Sequence, residues 1–200
     1  MDEILWIWQR KSNNINDLNS HIWDSWADET GSIGKSYGYQ LGVRHPYKDI
    51  TLEGLHNAFP YGKLIDDKFM NEDLLDYQEY AVKSNDVWYM NQVNRVIYDL
   101  KNTPFSRRIM TNMYTFSDLN EMALYPCAYS MTFNVTENTQ SGKLILNAIL
   151  NQRSNDVLTA NNWNVSQYAI LLMMIAQVCD MIPGKLVHMI ADAHIYDKHI

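Results

Sequence analysis

Cysteine is scarce in this chain: two residues, Cys127 and Cys179, in 200. Two thiols make no disulfide framework, so nothing in the sequence asks for an oxidising compartment, and a cytoplasmic location is expected. Basic residues are also few, 16 against 23 acidic ones, for a formal net charge of −7. That balance argues against broad binding to DNA or to an anionic membrane, both of which want a positive surface. Long apolar runs are missing as well. The longest, residues 169–176, has eight residues, well short of the ~20 needed to cross a bilayer. It predicts a buried helix. The acidic start holds too short an apolar stretch for a signal peptide. Repeats and low-complexity tracts are absent. With 46% apolar residues and 12% aromatics, the chain is globular and long enough to bury one sizeable core.

Against that acidic background, the few arginines beside a thiol stand out. Cys127 sits in Tyr125-Pro126-Cys127-Ala128, and Gln152-Arg153-Ser154-Asn155-Asp156 follows 25 positions later. Upstream lies the pair Arg107-Arg108. Guanidinium groups near a thiol favour the thiolate, the form that attacks carbon, and together they would make an anion pocket containing a nucleophile. A lone cysteine is otherwise a small buried apolar residue, and an Arg-Arg pair an ordinary solvated one.

Periodicity places these residues on a mixed framework. Residues 3–9 predict a buried helix, and 31–41 a glycine-punctuated loop. A dense-charge stretch, 43–87, predicts an inserted surface subdomain with a short amphipathic helix through Leu74, Leu75, Ala81 and Val82. A helix is expected over 88–101, ended by Asn102-Thr103-Pro104. Tyr129, Met131, Phe133 and Val135 alternate with polar residues, the signature of a half-buried strand; a turn at 138–142 leads into a partner strand over 143–150. Residues 165–179 form a helix apolar nearly all round, and 185–193 a last strand. The class is α+β: one twisted mixed sheet with helices packed on one face. His188, Asp192 and His194 share parity on that last strand, as metal ligands would, but no second cluster supports a metal site and none is expected.

Eight segments, in order, carry a resemblance: Glu3-Ile4-Leu5-Trp6-Ile7-Trp8, His21-Ile22-Trp23-Asp24-Ser25-Trp26, residues 34–40, Pro104 to Arg108, Met122 to Cys127, Gln152 to Asp156, Trp163-Asn164-Val165, and Asp192-Ala193-His194-Ile195-Tyr196. Together they resemble the thymidylate synthase family across nearly the whole chain apart from 43–87. The resemblance implies one catalytic domain over 1–200, a central portion of a longer protein, whose sheet back forms a homodimer interface. It implies reductive methylation of dUMP to dTMP, with 5,10-methylenetetrahydrofolate as co-substrate giving carbon and hydride, and no metal.

By the same resemblance Cys127 is the nucleophile, while Glu3 and Tyr37 handle protons. Arg153 and Ser154 bind phosphate within one subunit, and Arg107 and Arg108 reach across the dimer. Asn164 reads the uracil edge, since a carboxamide can both accept from N3–H and donate to O4; it could also cap the helix that follows it. His194 and Tyr196 meet the ribose. Asp156 serves both substrates, and Ile22 and Trp23 meet the reduced folate, whereas Trp26 is expected in the core. Ala128 stands where the family commonly has histidine. Residues 159–163 replace the usual Leu-Gly-x-Pro-Phe, and Ala160 and Ala191 replace glycines. Added bulk there is expected to act on folate geometry and rate more than on nucleotide binding. The rivals are a pyrimidine hydroxymethylase of the same fold and a non-catalytic dimeric nucleotide binder.

Overall fold

The computed structural model describes residues 1–60 and 80–200. Its centre is a four-stranded sheet in the order β4 (Met110–Asn112), β5 (Ala128–Glu137), β6 (Leu144–Asp156), β7 (Ile182–His194). The first three strands run antiparallel, with β5 and β6 joined by the expected turn. β7 lies parallel to β6. A parallel return needs a long crossover, which the helix α5 (Asn161–Val178) supplies. The sheet is therefore mixed and the class α+β, as the sequence predicts.

Alternation along β5 and β6 sends Met131, Phe133, Val135, Leu146, Ala148 and Leu150 to one face. There they meet Tyr168, Leu171, Leu172 and Ile175 of α5, together with Trp6 and Trp8 from the first turns of the chain. Those first turns are α1 (Asp2–Leu5) running into a wider π-helical turn over residues 6–10. Sheet and first turns cover α5 on two sides, burying Tyr168, Leu171, Leu172, Ile175 and Ala176, while Met173 and Val178 remain more than half exposed. The opposite sheet face stays open. Met110, Thr132, Ile149 and Val187 form one row across it, with Met189 in the next. Its apolar members are 41–56% exposed.

Several elements differ from expectation. Residues 31–41 are not all loop: Tyr37–Gly42 forms the helix α2. Gly38 lets it nest against the first turns, for a Cβ there would lie 2.0 Å from the Ser12 carbonyl oxygen. The helix expected over 88–101 starts late. Val87–Asn91 is a strand, β3, in keeping with its β-branched and aromatic residues, and α4 covers Gln92–Asn102. Asn91 caps α4 through its side-chain oxygen, which accepts from Asn94 N–H. β3 lies between β1 (Arg44–Tyr47) and β2 (Val82–Ser84) in a small antiparallel sheet. This sheet and α3 (Leu52–Ala58) enclose a cluster of their own around Leu55, Phe59, Met90 and Tyr98. Leu74 and Leu75 lie outside the described residues; Ala81 is buried in that cluster and Val82 is in β2, not a helix.

Three further corrections concern a strand end and individual side chains. β6 runs on to Asp156 instead of stopping at Leu150. A bulge between Ala128 and Ser130 shifts the pleat, so Ser130 is buried and Tyr129 only half so. Trp26 is 42% exposed, not core: Trp23 takes the inner position beside Trp6.

Candidate active site

Cys127 sits immediately before β5, half-buried, where antiparallel pairing brings it beside β6. Arg153 N–H donates to the Cys127 carbonyl at 2.9 Å. The Arg153 side chain folds back along the same turn. Its Nε donates to the Pro126 carbonyl at 3.1 Å, and Nη2 to the Tyr125 carbonyl at 2.7 Å. Nη2 also lies 3.7 Å from Cys127 Sγ. Two backbone acceptors thus fix the guanidinium against the sulfur, which puts a permanent cation beside it.

On the other side, the phenolic oxygen of Tyr37 accepts the Cys127 backbone N–H at 2.9 Å. Tyr37 is buried, and that burial pushes its phenol well above the ordinary range, with the neighbouring Cys127 as second cause. The group is therefore a neutral hydroxyl, able to relay a proton but not to carry charge. Glu3 belongs to the same cluster: its charge acts on Tyr37 and on Tyr168. Trp23 Nε1–H donates to one Glu3 oxygen at 2.7 Å, and Gln167 Nε2–H to the other at 2.6 Å.

The helix and strand ends supply the remaining candidates. α5 begins at Asn161 with Ala160 as its cap residue, so Asn164 lies inside the first turn. Its N–H is already spent on the Ala160 carbonyl at 2.9 Å. The capping alternative is thereby excluded. Parallel pairing sets Ser154 opposite Asp192 and Asp156 opposite His194. Asp156 accepts from the Leu158 and Thr159 N–H groups and from the Thr159 hydroxyl. Those bonds, the Thr159 hydroxyl first, hold its carboxyl below the usual carboxylate range. His194 stacks edge-on to Tyr196, ring centres 5.0 Å apart.

The shared parity of His188, Asp192 and His194 does not bring them together. His188 turns inward to Gln152, Nε2 to Oε1 at 2.8 Å, whereas His194 Nδ1 lies 3.6 Å from Asp192. Among the described residues no group of three His, Cys, Asp or Glu is placed to hold a metal ion. Ile22 is exposed, and Trp23 is buried with its N–H engaged. Arg107 and Arg108 are exposed in the turn before β4, at the edge of the open sheet face.

A guanidinium lies at the Cys127 sulfur, a buried tyrosine meets the Cys127 N–H, and a held carboxylate acts on that tyrosine; the chain's likenesses agree with that constellation. The family model for thymidylate synthase matches residues 1–200. The chain belongs to the thymidylate synthase family. It is 36% identical to a thymidylate synthase of Bacillus atrophaeus, over 99% of this chain and 70% of the relative. It is 37% identical to that of Bacillus licheniformis, over 99% and 57%. Among solved structures, the thermostable thymidylate synthase A from Bacillus subtilis aligns with a TM-score of 0.71 at 36% identity, over 99% of this chain and 57% of that one. The chain thus spans between about half and 70% of the length of these thymidylate synthases, which are methyltransferases.

Sequence reasoning missed two residues of this candidate site. Gln167 is one, though its position three after Asn164 puts both on one face of α5. Gln152 is the other: it is buried, bonded to His188, and donates to the Ser154 carbonyl at 2.9 Å. Its amide ties β7 to the strand bearing the phosphate candidates.

Proposed function

We propose that this protein converts dUMP to dTMP, with Cys127 as nucleophile. The observation that carries the reading is the contact of Arg153 with the Cys127 sulfur, inside a cluster that also holds Tyr37 and Glu3. A thiolate at Cys127 adds to carbon 6 of the uracil ring, and the electron pair moves onto carbon 5 and O4. Carbon 5 thereby becomes the nucleophile it is not in free dUMP. Bound 5,10-methylenetetrahydrofolate supplies the one-carbon unit and the hydride and leaves as dihydrofolate. Tyr37, neutral and beside the nucleophile, relays the proton lost from carbon 5, and that loss lets the sulfur depart again. Glu3 acts through water at the ring carbonyl.

Arg153 and Ser154 hold the phosphate, Asn164 the uracil edge, His194 and Tyr196 the ribose. Asp156, Ile22 and Trp23 position the folate. The open sheet face pairs two copies, and Arg107 and Arg108 extend from it into the neighbouring site. The described parts of the 43–87 segment, residues 43–60 and 80–87, act as an inserted surface subdomain of this single catalytic unit. The scarcity of cysteine fits a cytoplasmic setting.

The deciding experiment is covalent trapping. Incubation of the full chain with 5-fluoro-dUMP and the reduced folate is expected to yield an adduct at Cys127. No adduct would leave a nucleotide binder without the chemistry. Product analysis then separates methylation from hydroxymethylation: dTMP with dihydrofolate supports this reading, and hydroxymethyl-dUMP with tetrahydrofolate overturns it.

A further inference from the structure

Glu3 is a carboxylate on a helix of four residues, which by itself gives its side chain no fixed direction. Two donors give it one. Trp23 holds Oε1 and Gln167 holds Oε2, at 2.7 and 2.6 Å. Both donors are buried to 7% exposure, and both are uncharged. A neutral donor orients a carboxylate without cancelling its charge, as lysine or arginine would. Each oxygen keeps a second lone pair for water or substrate.

Gln167 is well placed for this task. It projects from the central helix α5, whose next residue, Tyr168, is locked edge-on against Trp8. It also sits one turn from Asn164, the candidate reader of the pyrimidine. The helix that selects the base therefore also aims the carboxylate.

Resting on the proposed reaction, we infer that Gln167 is a positioning residue: its amide holds the Glu3 carboxylate at the angle from which it serves the pyrimidine. A purely structural amide, tying α1 to α5, would lower stability when lost. It would not act on turnover through Glu3.

The test uses the full chain and three variants, Gln167→Met, Glu3→Gln and the double substitution. Gln167→Met is expected to lower kcat by roughly 10- to 100-fold, the scale of a misplaced reacting group, with dUMP affinity shifted by less than about 3-fold. The double variant should be no slower than Glu3→Gln alone, since nothing is left to orient. Gln167→Glu keeps the size and places two carboxyl groups within hydrogen-bond reach, so the acid limb of the kcat profile should move to higher pH. That variant serves if Gln167→Met does not fold. A kcat within about 2-fold of wild type, a loss fully additive with that of Glu3→Gln, or an unmoved acid limb overturns the inference. Wild-type protein that forms neither adduct nor dTMP overturns the proposed function and this inference with it. Active wild type with an indifferent Gln167→Met removes the inference alone.

Discussion

The two cysteines of this chain live in opposite surroundings. Cys179 closes α5 at 7% exposure, and burial pushes its thiol up to about 12. Cys127 is half-buried at the mouth of β5, with Arg153 at its sulfur. Only thiolates alkylate readily, so iodoacetamide at neutral pH is expected to label Cys127 in the native protein and spare Cys179. Peptide mass mapping checks this, and equal labelling would count against the site. Base choice is argued at the same scale. Asn164 has no capping duty, which leaves its carboxamide for a ligand. Asn164→Asp should move the preference from dUMP toward dCMP, read as the ratio of kcat/KM on the two nucleotides. An unaltered ratio would assign the uracil edge to another residue. Sequence pointed to Cys127 and Arg153 by type and spacing, and to Asn164 through the family resemblance. It could not show Gln167 holding Glu3, because the two are 164 residues apart and no local pattern links them.

At the scale of elements, the fold depends on close backbone approaches that aim the site. Tyr37 reaches Cys127 because α2 lies tight against residues 11–12, where Gly38 has no side chain. Gly38→Ala should destabilise the protein by about 1–3 kcal/mol, the cost of forcing bulk into a packed contact, and lower activity through the displaced Tyr37. Urea unfolding and a kcat measurement report the two effects. The partner strands β6 and β7 also carry a pH effect. Burial depresses the folded pKa of His188 below its ordinary 6.5. An unfolded chain then binds that proton more readily than the folded one, so stability is full above pH ~6.5 and declines as pH falls through the folded value. His188→Gln should flatten that part of the stability–pH curve; a curve of unchanged slope would assign the acid loss to other groups. The strand β5 was legible from its alternation, and the helix α5 from an unbroken apolar run that only a buried helix explains. α2 and β3 were misread: a glycine inside a helix looks like a turn, and Trp88 and Tyr89 run into α4 with only Asn91 to mark the boundary.

For the whole molecule, the open sheet face is the feature that most needs a partner. Met110, Ile149, Val187 and Met189 lie 41–56% exposed on it, a contiguous apolar area of the kind that marks association. Val187→Asp is expected to convert a dimer into monomers by sedimentation equilibrium, and a wild-type chain that sediments as a monomer would remove the interface. If Arg107 serves the neighbouring site, Arg107→Ala should weaken dUMP binding by about 1.5–3 kcal/mol, the scale of a hydrogen bond to a charged group. Calorimetric titration reads that loss, and unchanged affinity would return Arg107 to the solvated surface.

The amino-acid sequence by itself determined the mixed α+β character and the buried central helix, and it marked Cys127 as the candidate nucleophile, because periodicity, residue chemistry and motif order are all carried along the chain. Only the tertiary structure decided which groups surround Cys127. Arg153 meets the sulfur through antiparallel pairing of β5 with β6, and Tyr37 meets the Cys127 backbone N–H through a glycine-tight helix contact, while Glu3 is held beyond Tyr37 by donors from 20 and 164 residues away. Those distances along the chain close only when the core folds, since it is burial of one sheet face that brings the separate segments into register.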